Sequence, residues 1–191
     1  MAAPASPHAR SGVTSLFELR TAQVTMQNYD LSCGAAALAS LLNYHHGDPV
    51  TEREIALALI DRDIYLENPD IVRLRQGFSL ADLKRFADAR GYVGTGYGEM
   101  DLDSALQRAP LIVPITLNGY KHFVVVRGRM GDRILVADPS FGNVTMTVAA
   151  FEHAWMAYEG MGRVGFTVER RDGLAPLSRM QPKADEFVFL R

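Results

Sequence analysis

The chain has 191 residues, 48% of them apolar and 22% charged, with a formal net charge of -2. This is the composition of a folded domain, not a disordered chain, and the near balance of charge excludes the basic footprint of a nucleic-acid or anionic-lipid binder. One cysteine, Cys33, excludes an intramolecular disulfide and a cysteine-rich zinc site, and no apolar run reaches the ~20 residues that span a bilayer.

Residues 1–20 read as an N-terminal arm. It opens MAAPASPHARSG, rich in Ala, Pro and Ser, without the apolar segment of a signal peptide. Such a lead looks like the start of a mature exported protein, so a periplasmic or secreted location is expected; a cytosolic tail is the other reading. His8 in this arm carries no assigned chemistry.

Residues 21–170 read as one domain. The run CGAAALASLLNYH predicts a helix over 33–45, with Ala37, Leu38, Leu41 and Leu42 on one face. Asp30 or Ser32 is the expected cap, and Gly47-Asp48-Pro49 the stop. Thr51 and Glu54 form a capping box, stapled by Val50 and Ile55. Ser79 and Asp82, with Phe78 and Leu83, repeat the device, and Gly91 ends that helix. Between the two lies a charged excursion over 61–76. Gly94, Gly96 and Gly98 in GTGYG predict a flexible connection along a cleft, and a short helix over 101–108 follows.

The period then changes. Segments 111–117, 120–128, 132–139, 143–148 and 162–169 are short, rich in β-branched residues, and separated by Gly, Pro, Asn and Asp. Residues 151–158 read as a helical insert whose Phe151, Trp155 and Tyr158 enter the core. Residues 171–191 read as a C-terminal arm ending in FVFL. Helices first and strands later predict an α+β fold with an antiparallel sheet.

Cys33 stands at the front of its helix, where the positive end of the macrodipole favours the thiolate, and Gly34 beside it leaves room for a substrate backbone. A hairpin turning through GRMGD, with Arg127 opposite Arg133, sets His122 directly opposite Asp138. Opposed side chains share a face about 4.5–5.5 Å apart, so the carboxylate can fix one imidazole nitrogen and leave the other for a thiol. Cys33, His122 and Asp138 then suit nucleophilic catalysis. The Cys33 backbone N–H and the Gln27 side-chain amide are available as oxyanion donors. His45-His46 sits at a helix end and reads as a polar C-terminal cap, not a metal site.

Gln27, five residues, then Cys33-Gly34 entering an Ala/Leu helix resembles the double-glycine leader peptidases that process bacteriocin precursors. HFVVV around His122 and ADPS around Asp138 match in type, order and spacing, and the resemblance covers roughly residues 22–169. It implies a papain-like α+β fold, with a helical half carrying the nucleophile and an antiparallel sheet carrying His and Asp. By position, Cys33 is the nucleophile, His122 the general base and acid, Asp138 the orienting carboxylate and Gln27 the oxyanion donor. Many family members are domains of ABC exporters; this chain looks like the freestanding type. Ser32 departs from the acidic residue often found before the cysteine, and the 61–76 excursion looks longer than a minimal connection.

The resemblance implies a cysteine endopeptidase cutting after small residues, Gly-Gly among them, in a leader peptide or exported protein. Association with a secretion or fibre-assembly system goes with that expectation. No cofactor or metal is called for. An acyl or amide transferase, or a silent peptide-binding module, would use the same fold.

Overall fold

The computed structural model describes residues 15–61, 63–68, 70–74, 77–117 and 119–187. His8 and residues 188–190 of the FVFL tail lie outside the described residues. The described chain opens with α1 (Leu16–Thr21) and α2 (Cys33–Ser40), which runs into a π-helical turn over Leu41–His46. Then come α3 (Glu52–Ile60), α4 (Asp63–Glu67), α5 (Asp70–Leu74) and α6 (Leu80–Ala89). β1 (Tyr92–Tyr97) and α7 (Leu102–Gln107) precede β2 (Leu111–Leu117), β3 (Tyr120–Met130), β4 (Arg133–Asp138) and β5 (Gly142–Thr147). Last are α8 (Val148–Ala154), the short pair β6 (Ala157–Tyr158) and β7 (Gly162–Arg163), β8 (Gly165–Arg170), and a 3-10 turn over Ala184–Phe187.

The main sheet has six strands in the order β1-β8-β2-β3-β4-β5, and its pairings are antiparallel. Apolar side chains cover both faces. On one side Ile112, Val125, Ala137 and Phe166 pack with α2, α3 and α6. On the other, Val113, Val124, Val126 and Val136 pack with Ala105 of α7 and Phe151 of α8. Burial on both sides explains why LIVPITL and FVVV are apolar without alternation.

α2 is the buried axis of the helical half. Each of its eight residues is buried, so it is apolar all round instead of along the single face the periodicity predicts. A Cβ on Gly34 would meet the Phe123 ring at 3.3 Å and Leu83 at 3.6 Å. The glycine therefore lets α2 lie against β3 and α6, and the room expected there for a substrate is filled. Ser32 is the N-cap residue but makes no side-chain cap. Its hydroxyl instead donates to the Tyr29 carbonyl at 2.6 Å and to Glu52. Gly47, at φ 72, ends the helix as expected.

Both capping boxes form, Thr51 with Glu54 and Ser79 with Asp82. Asp82 also accepts from the buried Tyr65 hydroxyl at 2.5 Å, which fastens α4 to the start of α6. The charged excursion thus contains two short helices with one aromatic anchor. GTGYG is not a connection: Gly94 to Tyr97 lie in β1, paired with β8, and Gly98 follows the strand. The insert near 151 begins earlier than expected, at Val148, because Thr147 caps it. Phe151 and Trp155 enter the core, whereas Tyr158 lies in β6.

Leu38 is fully buried between helices and sheet. Leu38→Ala is expected to destabilise the fold by about 2–5 kcal/mol, read as a lower midpoint in urea unfolding.

Candidate active site

The β3–β4 hairpin decides where the candidate residues meet. Met130 pairs with Arg133, Arg129 with Ile134 and Gly128 with Leu135, and the register then shifts, with Val126 opposite Val136 and Val125 opposite Ala137. Arg127 is the extra residue of a β-bulge, and the expected pairing of Arg127 with Arg133 does not occur. Extending the second register sets Asp138 across from Val124, so His122 is its diagonal neighbour on the same face. The reach is made by the side chains: His122 Nε2 donates to Asp138 Oδ1 at 2.7 Å.

Asp138 is buried, and its Oδ1 also accepts from the backbone N–H groups of Ser140 at 2.7 Å and Phe141 at 3.2 Å. The chain turning away from β4 thereby grips its own carboxylate and aims it at the imidazole. With Nε2 committed to Asp138, Nδ1 is the ring nitrogen left over, and Cys33 lies near enough to bear on the charge of the ring. Cys33 itself is buried at the first position of α2, where backbone N–H groups have no acceptor within the helix.

Burial pulls the His122 imidazole toward the neutral form. The hydrogen bonds with Asp138 and Cys33, and the negative charges of both, outweigh it and push the ring up to about 9. At neutral pH the ring is therefore an imidazolium.

Gln27 joins this group through the backbone. Its N–H donates to the Pro139 carbonyl at 2.8 Å, tying its loop to the residue after Asp138. Its Oε1 is buried without a hydrogen-bond partner among the described residues, so that end of the amide is not spent on the protein. Gln27, Cys33, His122 and Asp138 are thus linked by loop, helix end and strand ends. His45-His46 lies apart; His46 Nε2 contacts the Val168 carbonyl at 2.9 Å. Among the described residues no group of three or more His, Cys, Asp or Glu is placed to hold a metal ion.

Two residues with a part in this arrangement escape a reading of motifs. Glu52, buried in the first turn of α3, accepts from Asn28 N at 2.9 Å, from Asn28 Nδ2 at 3.0 Å, and from the Ser32 hydroxyl. It organises the loop between Gln27 and Cys33, yet in sequence it is only an acidic residue in a helix's first turn. Arg127, the bulge residue, is fully buried; an arginine directly following three valines was the available signal.

His122 opens onto a cleft of about 930 Å³, lined by Gly77, Ser79, Gly96, Tyr97, Gly98 and Phe123 among others. Gln27 borders a second depression, of about 840 Å³, with Leu31, Ile60 and Tyr65.

Residues 21–159 match the model of the Peptidase C39 family. The chain is similar to the probable functional amyloid protease FapD of Pseudomonas aeruginosa, 35% identical over 143 residues, or 75% of this chain and 61% of that protein. It therefore spans about three fifths of the length of that relative. Among solved structures, the fold is similar to a double glycine motif protease from an AMS/PCAT transporter in complex with the leader peptide. There the TM-score is 0.59 at 22% identity, covering 77% of this chain and 90% of that one. It is also similar to the peptidase domain of Streptococcus ComA, a bi-functional ABC transporter, with TM-score 0.60 at 16% identity over 77% and 97%. Both have the mixed helical and antiparallel architecture described above. Among the described residues no helix is long and apolar enough to cross a membrane.

Because folding raises His122 from 6.5 to about 9, its contribution to stability is fully present below pH 6.5 and disappears as pH rises through about 9. The stability of the wild-type chain is expected to fall over that window in denaturant titrations. His122→Ala is expected to flatten that part of the curve.

Proposed function

Because the chain belongs to the Peptidase C39 family, we propose that it is a cysteine endopeptidase of exported proteins, with Cys33 as nucleophile. The observation that carries this reading is the His122–Asp138 hydrogen bond, with Cys33 close enough to act on the charge of the same ring. The bond cut follows small residues, with Gly-Gly the first sequence to test. Glycines 77, 96 and 98 on the cleft beside His122 support an extended strand lying close to the protein backbone. The name of the amyloid-protease relative supports a fibre-forming secreted protein as the substrate class, and a periplasmic or secreted site of action.

In this mechanism the Cys33 thiolate attacks the carbonyl carbon of the scissile peptide. The developing oxyanion accepts from the Cys33 backbone N–H and from the Gln27 amide turned toward it. His122, charged at neutral pH, protonates the leaving amine, and the C–N bond breaks to leave a thioester on Cys33. A water then gives a proton to the now neutral His122 and attacks the thioester, which releases the new C-terminal carboxyl and regenerates the thiolate. Asp138 stays ionised throughout, keeping the Nε2–H tautomer and the ring's orientation.

Cys33→Ala is expected to abolish cleavage of a Gly-Gly-containing exported substrate, followed by mass analysis of the products, while circular dichroism stays unchanged. Undiminished cleavage by that variant would refute the assignment. Gln27→Ala is expected to lower kcat by roughly 10²–10³-fold with a smaller effect on KM. The pH profile of kcat/KM should descend on its alkaline side near 9, as His122 loses the proton destined for the leaving amine.

A further inference from the structure

The bulge at Arg127 has a geometric consequence for His122. Were Arg127 paired in the ladder instead of bulged out of it, the register at Gly128–Leu135 would continue along β3. Side chains alternate along a strand, so every residue before the bulge would change face. His122 would then lie on the opposite side of the ribbon from Asp138.

Hydrophobic patterning does not choose between these two phases. Phe123, Val124, Val125 and Val126 are all apolar, and apolar cores lie on both sides of the sheet. Turning the run over exchanges one valine for another. The phase must therefore be fixed by residues that tolerate only one position, and Arg127 is such a residue.

Arg127 and Gly128 are held by the segment near the C-terminus. Arg127 Nε donates to the Met180 carbonyl at 3.0 Å, and its Nη1 donates to Glu186 Oε1 at 2.7 Å and to Asn143 Oδ1 at 2.8 Å. Nη2 donates to Gln23 Oε1 at 3.0 Å and to Glu186 Oε2 at 3.2 Å. A Cβ on Gly128 would stand 2.7 Å from Pro182 Cγ, so this glycine is where the segment crosses the strand. Phe187 packs on Leu135, the residue opposite Gly128. Ion pair, close crossing and apolar contact all converge on the bulge.

We propose that Met180–Phe187 is a clamp on the bulge, and that Arg127 and Glu186 are positioning residues that keep His122 in phase with Asp138 for peptide-bond cleavage. The proposal rests on the triad reading above. Neither residue touches the reacting atoms. They set the fraction of molecules whose imidazole is steadied by the carboxylate and can form the ion pair with Cys33.

The test uses the full chain carrying Glu186→Gln or Phe187→Ala. The first removes the charge that neutralises Arg127; the second loosens the clamp without leaving a buried charge alone. At a temperature where circular dichroism shows each variant folded, kcat is expected to fall by roughly tenfold for Glu186→Gln and roughly threefold for Phe187→Ala, with KM nearly unchanged. Rapid alkylation of Cys33 by iodoacetamide at mildly acid pH should decline in parallel, because the thiolate persists there only beside a charged His122. A general loss of stability would not reshape that pH profile. Folded variants that keep the wild-type kcat and alkylation profile would overturn the clamp. If Glu186→Gln does not fold, Phe187→Ala decides alone: parallel losses support the clamp and an unchanged profile overturns it. The triad fails separately, if Cys33 of the wild-type chain alkylates no faster at that pH than a free model thiol.

Discussion

The hydrogen bond from His122 to Asp138 spans a diagonal of the β3–β4 ribbon, and that diagonal exists because Arg127 is bulged out of the ladder, which shifts the register by one residue. Strand geometry allows a side chain only two directions, so a single insertion changes which residues share a face. Around that bond, Ser140 and Phe141 hold the carboxylate from the side of the turn. Pro139 in the same turn receives the Gln27 N–H. Fixing the phase of one strand therefore also fixes the distance between the carboxylate and the loop that leads to Cys33. In the reading proposed here, base, orienting group and oxyanion donor are placed by one strand end.

Two effects can favour a thiolate at Cys33, and their sizes differ. The start of a helix contributes about 0.3–1 kcal/mol near the surface and up to ~2 kcal/mol when partly buried, and α2 is a short source of it. The rise of His122 from 6.5 to about 9 corresponds to roughly 3 kcal/mol of preference for the charged ring. Asp138 and Cys33 share that preference, so it is not all available to the sulfur. In the proposed mechanism the imidazolium is the partner of the thiolate, and the helix terminus presents N–H groups to the oxyanion. The proposed mechanism therefore draws on the geometry of β3 as well as on α2.

Residue types and their order were legible before any coordinates. The capping boxes at Thr51 and Ser79 are local hydrogen bonds that need no tertiary context, and both form as read. The apolar β-branched runs located β2 to β5 closely because Gly, Pro and Asn bound them. The register was not legible. A hairpin drawn through GRMGD put His122 directly opposite Asp138, and the structure makes them diagonal neighbours instead. A bulge has no strong local signature when the residues around it are apolar on both faces. Gly34 misled for a related reason: a small residue beside a nucleophile can serve a ligand or a neighbouring element, and only packing distinguishes them. Here the Phe123 ring occupies the space. Glu52 was hidden because its partners, Asn28 and Ser32, lie twenty or more residues earlier in the chain.

A buried arginine–carboxylate pair is a costly way to gain stability, since well-packed apolar residues of equal volume often do as well or better. Its advantage lies in discrimination. Apolar side chains accept many neighbours, whereas a guanidinium with its donors satisfied by Glu186, Asn143, Gln23 and the Met180 carbonyl has one acceptable position. Shifting β3 by one residue would bury an unpaired charge, while the valines around it would scarcely register the change. The matched family region ends at residue 159, so it contains Arg127 but not the carboxylate that neutralises it. If phase is what the pair secures, the segment after β8 contributes to the geometry of His122 without approaching the cleft. The specificity that the apolar strands lack is supplied by a charge that can be satisfied in only one register.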